Sequence, residues 1–223
     1  MTEQNGGTPV GTVSFLAAGG ARKRAGLAAG PRAVYQAVLR AFAETGRPPE
    51  PGELEDTARR HGLAVGQALA GLAAADVLDL DGHGRIRMAY PFSAGPTPHL
   101  VAIAGGPRVY SMCAIDALGI PPMLGTDAVI TSSDPLTGAP VTVTFSDGRA
   151  SWNPPGAVVF AGCADCDGPS EQVSCGYLNF FASPASARQW ASQHPDITGS
   201  VLNQAHAESL GAQTFGSLLH GGT

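Results

Sequence analysis

The chain has 223 residues, enough for one large domain or two small ones with a sizeable core. Hydrophobic residues make up 43% of it and charged residues 14%, which excludes wholesale disorder, and no apolar run has membrane-spanning length. The net charge of −5 excludes a basic protein built to neutralise nucleic-acid phosphates. Four cysteines are too few for a disulfide scaffold, so we expect a cytoplasmic protein in which each cysteine needs its own explanation.

Residues 1–30 are predicted to form a flexible N-terminal arm. They contain seven glycines and no sustained hydrophobic periodicity. Their basic cluster, Arg22 to Arg24, follows the short apolar stretch instead of preceding it, which is the reverse of a secretory signal.

Residues 31–98 are predicted to form a winged-helix-like domain of three helices and a hairpin. The first helix starts near Pro31 and stops at Gly46, with an apolar face at Val34, Val38, Ala41 and Phe42. The other two helices are predicted at 53–61 and 65–75, and two alternating runs around Asp81-Gly82-His83-Gly84 predict the hairpin. The third helix, which would read DNA in such a domain, carries no Arg or Lys. We therefore expect a structural domain that does not bind DNA.

Residues 99–223 are predicted to form an α+β domain in which short strands alternate with helices. Strands are expected near 100–104, 129–131, 141–145, 158–160 and 179–181, and helices at 111–118, 184–193 and 201–210. Three arginines against nine acidic residues give this segment a net charge of −6. This negative charge argues against nucleic acid as a partner.

The stretch from Ser111 to Pro121 contains the first candidate site. Cys113 and Asp116 are three residues apart, so on a helix they share a face. A thiol at a helix N-terminus meets the positive end of the helix dipole, which favours thiolate, and a carboxylate one turn later can accept and return its proton.

The other three cysteines lie within thirteen residues. Cys163 and Cys166 form a Cys-x-x-Cys pair that fits a redox couple, half a zinc site or a soft-metal clip, and Cys175 follows nine residues later. The ligand spacings do not form paired zinc knuckles, and the six histidines share no ligand-like spacing, so zinc is weakly supported. His99, which follows Pro98 near a strand start, is a minor candidate for lining the site.

These motifs together resemble the organomercurial (alkylmercury) lyase family. The resemblance runs over roughly residues 31–220, through Tyr90-Pro91-Phe92-Ser93, Pro96 to His99, Met112 to Leu118, Thr137 to Val141, Cys175, Asn179 to Ser183, Trp190 and Phe215-Gly216. It implies an N-terminal winged-helix-like segment followed by a mixed α/β catalytic domain, residues 99–223. Some family members carry a cysteine where this chain has Gly176, and another in the turn occupied here by Thr131 to Asp134.

The resemblance implies protonolysis of a carbon–mercury bond, giving a hydrocarbon and Hg(II), in mercury detoxification. It places the catalytic residues at Cys113, Asp116 and Cys175, and the same three would hold the Hg(II) product transiently. Mercury is then substrate and product, no cofactor is required, and small cellular thiols release the product, which would pass to a mercuric reductase. The resemblance gives Cys163 and Cys166 no role.

Two other functions fit parts of the sequence. One is a non-catalytic carrier that binds Hg or Cu through its thiols, and the other is a metal-responsive winged-helix regulator. A carrier does not require the carboxyl of Asp116, and a regulator requires a basic recognition helix, so both fit less well than the enzyme.

Overall fold

The computed structural model describes residues 26–164 and 175–220, apart from the side chain of Cys175. Within these ranges the protein is a mixed α+β structure with two antiparallel sheets, six α-helices and two short 3₁₀-helices. The helices are α1 (Ala29–Thr45), α2 (Glu55–Arg60), α3 (Val65–Ala74), α4 (Ala114–Leu124), α5 (Pro184–Gln193) and α6 (Gln204–Phe215), and the 3₁₀-helices are Pro51–Leu54 and Cys175–Tyr177.

The large sheet has eight strands and the small sheet has three. The strands are β1 (Leu78–Leu80), β2 (Ile86–Ala89), β3 (Phe92–Ser93), β4 (His99–Ile103), β5 (Arg108–Ser111), β6 (Ala128–Ser133), β7 (Pro140–Ser146), β8 (Arg149–Asn153), β9 (Val158–Cys163), β10 (Leu178–Phe181) and β11 (Thr198–Leu202). The large sheet runs in the order β1-β2-β3-β5-β4-β6-β7-β8, and the small sheet in the order β10-β9-β11.

The N-terminal helices follow the apolar periodicity of their sequence. In α1, Val34, Val38 and Phe42 are fully buried, and Gly46 ends the helix with a φ of 78°. The hairpin β1–β2 follows α3, as expected, but its second strand also pairs with β3, which pairs with β5. The hairpin therefore belongs to the same sheet as β4 to β8. The winged-helix description and the boundary at residue 98 stay predictions, and residues 1–25 of the predicted arm lie outside the described residues.

Two predicted helices occupy different positions in the structure. The helix expected from Ser111 begins at Ala114, because Ser111 pairs with Phe92 and His99 as the last residue of β5. The helix expected over 201–210 begins at Gln204, because residues 198–202 form an edge strand beside β9. In both places pairing with distant strands overrides the local pattern.

Helix α4 lies at the centre of the molecule. It contacts β4, β5 and β6 of the large sheet, β10 of the small sheet, and α6 along its length. Nine of its eleven residues are buried, so the helix is apolar on nearly all sides, as expected for a helix enclosed by other elements. Within the described residues, no helix combines the length and the apolar character needed to cross a lipid bilayer.

Candidate active site

Cys113 caps the N-terminus of helix α4. Its backbone is extended, with φ −154° and ψ 177°, and its Sγ accepts a hydrogen bond from the backbone N–H of Asp116 at 3.4 Å. The residue is only 2% exposed and is reduced. A sulfur in this position receives an N–H of the first turn and faces the positive end of the helix dipole, and both interactions stabilise negative charge on it.

Asp116 lies in the first turn of the same helix and is 5% exposed. The neighbouring helix residues Ile115, Ala117 and Leu118 are buried with it. The structure thus places the predicted cysteine and aspartate in one turn of a largely apolar interior, in contact through the Asp116 backbone N–H. Removal from water disfavours the charged form of a carboxyl group.

Cys175 begins the 3₁₀-helix that leads into β10. Strand β10 contacts helix α4, and pairs with β9 in a register that places Leu178 opposite Ala161. The backbone that starts at Cys175 is therefore connected directly to a strand packed against the helix of Cys113 and Asp116.

Of the Cys-x-x-Cys pair, only Cys163 lies within the residues that the structure describes. Cys163 is the last residue of β9, is 1% exposed and is disulfide-bonded. Cys166 lies outside the described residues. A sulfur in a disulfide is not a thiolate, so Cys163 does not offer a soft-metal ligand in this state.

A buried polar cluster lies beside β10 and includes His99, which the sequence indicated only as a minor candidate for lining the site. His99, the first residue of β4, is 2% exposed, and its Nδ1 lies 2.9 Å from Ser132 Oγ. Its ring meets the Phe180 ring edge-on at 5.7 Å. Burial lowers the pKa of His99 to about 4, against a smaller opposing effect of the Asn179 side chain, so the imidazole is neutral at pH 7.

Asp134 begins the turn that follows β6. It is 1% exposed, and its carboxylate accepts backbone N–H bonds from Leu136 at 2.9 Å, Thr137 at 3.1 Å and Ala182 at 3.0 Å. Burial acts to raise the pKa of Asp134, but the hydrogen bonds onto the carboxylate lower it overall. The residue ties the turn after β6 to the end of β10. The Asp-Pro-x-x-Gly sequence indicated the turn, but its tie to Ala182 has no local signal.

A separate pocket of about 420 Å³ lies at the other end of α4. It is lined by Pro121, Gly125, Asp127, Phe145 and Asp147, among others, and contains no thiol. Eight residues of helix separate Cys113 from Pro121, a rise of roughly 12 Å. This pocket is therefore distinct from the thiol–carboxyl site.

The fold and the site define an α+β protein with a cysteine and an aspartate at one buried helix N-terminus, where the sulfur is the donor suited to a soft metal. Residues 92–216 match the family model described as MerB, alkylmercury lyase. The alkylmercury lyase of Streptomyces lividans is 33% identical over 174 residues, which cover 78% of this chain and 79% of that protein. The alkylmercury lyase of Staphylococcus epidermidis is 31% identical over 179 residues, which cover 80% of this chain and 79% of that protein. The chain belongs to the alkylmercury lyase family.

The fold has a counterpart among solved structures. The crystal structure of the mercury-bound form of MerB2 aligns with a TM-score of 0.77 and 22% sequence identity, covering 92% of this chain and 99% of that one. The two chains therefore share a fold over most of their length.

Proposed function

We propose that this protein is an organomercurial lyase of mercury resistance, which cleaves the carbon–mercury bond by protonolysis at Cys113, Asp116 and Cys175. The relatives named above carry the name alkylmercury lyase. The observation that carries the proposal is the contact between the Asp116 backbone N–H and Cys113 Sγ inside a buried first turn. It holds a nucleophile and a proton carrier within one turn of helix.

The first step is capture of the substrate by thiolate. Mercury is a soft metal, for which thiolate is a better ligand than carboxylate or imidazole. A cysteine thiolate attacks an organomercurial already bound to a small thiol, R–Hg–SR′, and displaces R′S⁻, which leaves as R′SH after taking up a proton. The helix terminus at Cys113 favours the thiolate that this step needs.

The second step is polarisation and protonation of the carbon. A second thiolate, from Cys175, adds electron density to mercury and shifts the Hg–C pair towards carbon. Asp116 takes the proton of the incoming thiol and delivers it to that carbon, acting first as base and then as acid. The balance is R–Hg–SR′ plus two cysteine thiols giving R–H, R′SH and Hg(II) held by two thiolates.

The buried position of Asp116 suits the second role. A carboxyl group delivers a proton near neutral pH only while its protonated form is populated, and an apolar interior favours that form. After cleavage the Asp116 carboxylate helps to hold Hg(II) until small thiols exchange onto the metal and release it. The released Hg(II) is then bound to small thiols, a form that a mercuric reductase can accept. No resident cofactor takes part in this scheme.

The N-terminal segment, residues 31–98, is proposed to be a winged-helix-like structural domain. Helix α3 carries no basic residue. On the hairpin, Arg85 pairs with Asp81 and Arg87 with Asp79, each at 2.8 Å. These guanidinium groups are matched by carboxylates of the same hairpin, which lowers their attraction for phosphate.

The test is release of hydrocarbon. Purified protein is incubated with phenylmercuric acetate and excess thiol, and benzene is measured by gas chromatography. We expect the wild type to turn over, and Cys113→Ser, Cys175→Ser and Asp116→Ala each to lose turnover, with Asp116→Ala still binding the organomercurial through its two thiols.

The matched control is the double variant Cys163→Ser, Cys166→Ser, which removes the other two cysteines and should keep turnover. Full turnover by Asp116→Ala would refute its role as proton carrier. A wild type that binds Hg(II) tightly but releases no benzene would be a carrier instead of an enzyme.

A further inference from the structure

Cys113 lies at the junction between the end of β5 and the first turn of α4. Its backbone is extended, and its carbonyl accepts the first hydrogen bond of the helix, from the Ala117 N–H at 2.9 Å. The directions open to a side chain depend on the backbone dihedrals of its residue. The contact of Cys113 Sγ with the Asp116 N–H at 3.4 Å therefore depends on how firmly the backbone of this junction is held.

The junction is held by hydrogen bonds at three consecutive residues. The Thr97 hydroxyl donates to the Ser111 carbonyl at 2.7 Å, and the Met112 N–H donates to the Pro91 carbonyl at 3.1 Å. The Ser111 hydroxyl then donates to the Cys113 carbonyl at 3.1 Å, two residues further along the chain. The carbonyl that starts helix α4 thus has a second donor, which comes from the preceding strand.

Ser111 is itself fixed inside the large sheet. It is fully buried, and it lies opposite Phe92 of β3 on one side and His99 of β4 on the other. A buried hydroxyl group lowers stability unless it is hydrogen-bonded, and in an interior without water its hydrogen bond is strengthened. The hydroxyl of Ser111 makes that bond to Cys113, so a rigid element of the fold is joined directly to the backbone of the proposed nucleophile.

We propose that Ser111 is a positioning residue for the lyase site, whose hydroxyl holds the Cys113 carbonyl and so keeps Sγ in the N-cap position beside Asp116. Thr97 supports it by holding the Ser111 carbonyl. This rests on the proposed function, since Cys113 is one of the thiols proposed to bind mercury. Ser111 acts through the backbone of Cys113 and takes no part in the bond-making steps. A misplacement of a reacting group by about 1 Å can cost about 100-fold in rate.

The test uses Ser111→Ala, which removes the hydroxyl and adds no bulk to the core. Thr97→Val removes the supporting hydroxyl at a half-buried residue, in case the core substitution prevents folding, and Thr97→Ser keeps that hydroxyl. The matched control is Ser93→Ala. Ser93 also ends a strand of the large sheet, and its hydroxyl also donates to the carbonyl two residues further on, that of Gly95 at 2.9 Å.

The first measurement is kcat/KM for benzene release from phenylmercuric acetate. We expect Ser111→Ala and Thr97→Val each to lower it about 5- to 50-fold, because the thiol that binds mercury is less firmly placed. Thr97→Ser and Ser93→Ala should match the wild type. Wild-type kcat/KM in both Ser111→Ala and Thr97→Val would overturn the positioning role.

A second measurement, amide hydrogen exchange followed by NMR, does not depend on turnover. The Ala117 N–H donates to the Cys113 carbonyl, and its matched control is the Ala207 N–H, which donates at 3.0 Å to the carbonyl of Asn203, the N-cap of α6. In Ser111→Ala we expect the Ala117 amide to exchange about 3- to 10-fold faster, the effect of losing one buried hydrogen bond, and the Ala207 amide to be unchanged.

The comparison of the two amides separates positioning from general stability. A general loss of stability would accelerate exchange at Ala117 and Ala207 equally, and that result would overturn the positioning role of Ser111, as would unchanged exchange at Ala117. A wild type that releases no benzene would refute the lyase proposal, while exchange at Ala117 would still decide whether the Ser111 hydroxyl holds the junction.

Discussion

Replacing Gly211 by alanine should separate helix α6 from helix α4. A Cβ at Gly211 would lie 2.9 Å from Gly119 N and from Leu118 C, and 3.1 Å from Ile115 O. All three are backbone atoms of the helix that carries Asp116, so no side-chain rotation can relieve the contact. At the same crossing, a Cβ at Gly119 would overlap the Phe215 ring. Helices α4 and α6 can therefore pack this closely only because Gly119 and Gly211 have no side chain at the point where they cross.

The magnitude follows from two opposing effects. Alanine stabilises a helix interior by about 0.8–1 kcal/mol relative to glycine. Inserting a methyl group into a closely packed interior costs about 1–3 kcal/mol, and the backbone contacts here favour the upper half of that range. The net loss is about 1–2 kcal/mol, which corresponds to a fall in Tm of about 2–8 °C for a chain of this size.

The assay is thermal unfolding followed by circular dichroism, with Gly71→Ala as the matched control. Gly71 also lies within a helix, α3, but is exposed, and a Cβ there meets nothing within 4 Å. Gly71→Ala should raise Tm and Gly211→Ala should lower it. If Gly211→Ala were as stable as the wild type while Gly71→Ala showed the expected gain, the close approach of the two helices would be refuted.

Two further substitutions test contacts around the site. Asp134→Asn should reduce the free energy of unfolding at pH 7, because an amide cannot accept all three backbone N–H bonds. Since the folded pKa of Asp134 lies below the ordinary value of 3.8, the carboxylate stabilises the fold above that value and loses this effect as the pH falls through the folded pKa. In urea unfolding, the difference in free energy of unfolding between the wild type and Asp134→Asn should therefore shrink as the pH falls below about 4. A difference that does not change with pH would contradict the role of the Asp134 carboxylate. Asn203 is the N-cap of α6, and its side chain accepts the His206 N–H at 2.9 Å. In the same assay Asn203→Ala should lower the free energy of unfolding by about 1 kcal/mol, and Asn203→Gly by only about a few tenths. Equal losses in the two variants would exclude a capping role.

The prediction of an α+β chain is confirmed, and its N-terminal helices and hairpin form where their patterns indicate, although the winged-helix assignment stays a prediction. These elements have amphipathic or alternating patterns, and α1 ends at Gly46 as its sequence indicates. Strands β3, β5, β8 and β11 were not predicted. They are short or weakly apolar, and they exist because a distant strand offers hydrogen bonds to them.

For the site, the sequence by itself indicated that Cys113 and Asp116 lie at the start of one helix, although Cys113 is the extended N-cap and not part of the helix as expected. Only the tertiary structure decided that this turn is buried, that α4 meets α6 at Gly119 and Gly211, and that the His99 ring packs against Phe180. The spacing of neighbouring residues follows directly from the sequence, whereas contacts between residues about eighty or more positions apart depend on how the sheets and helices pack.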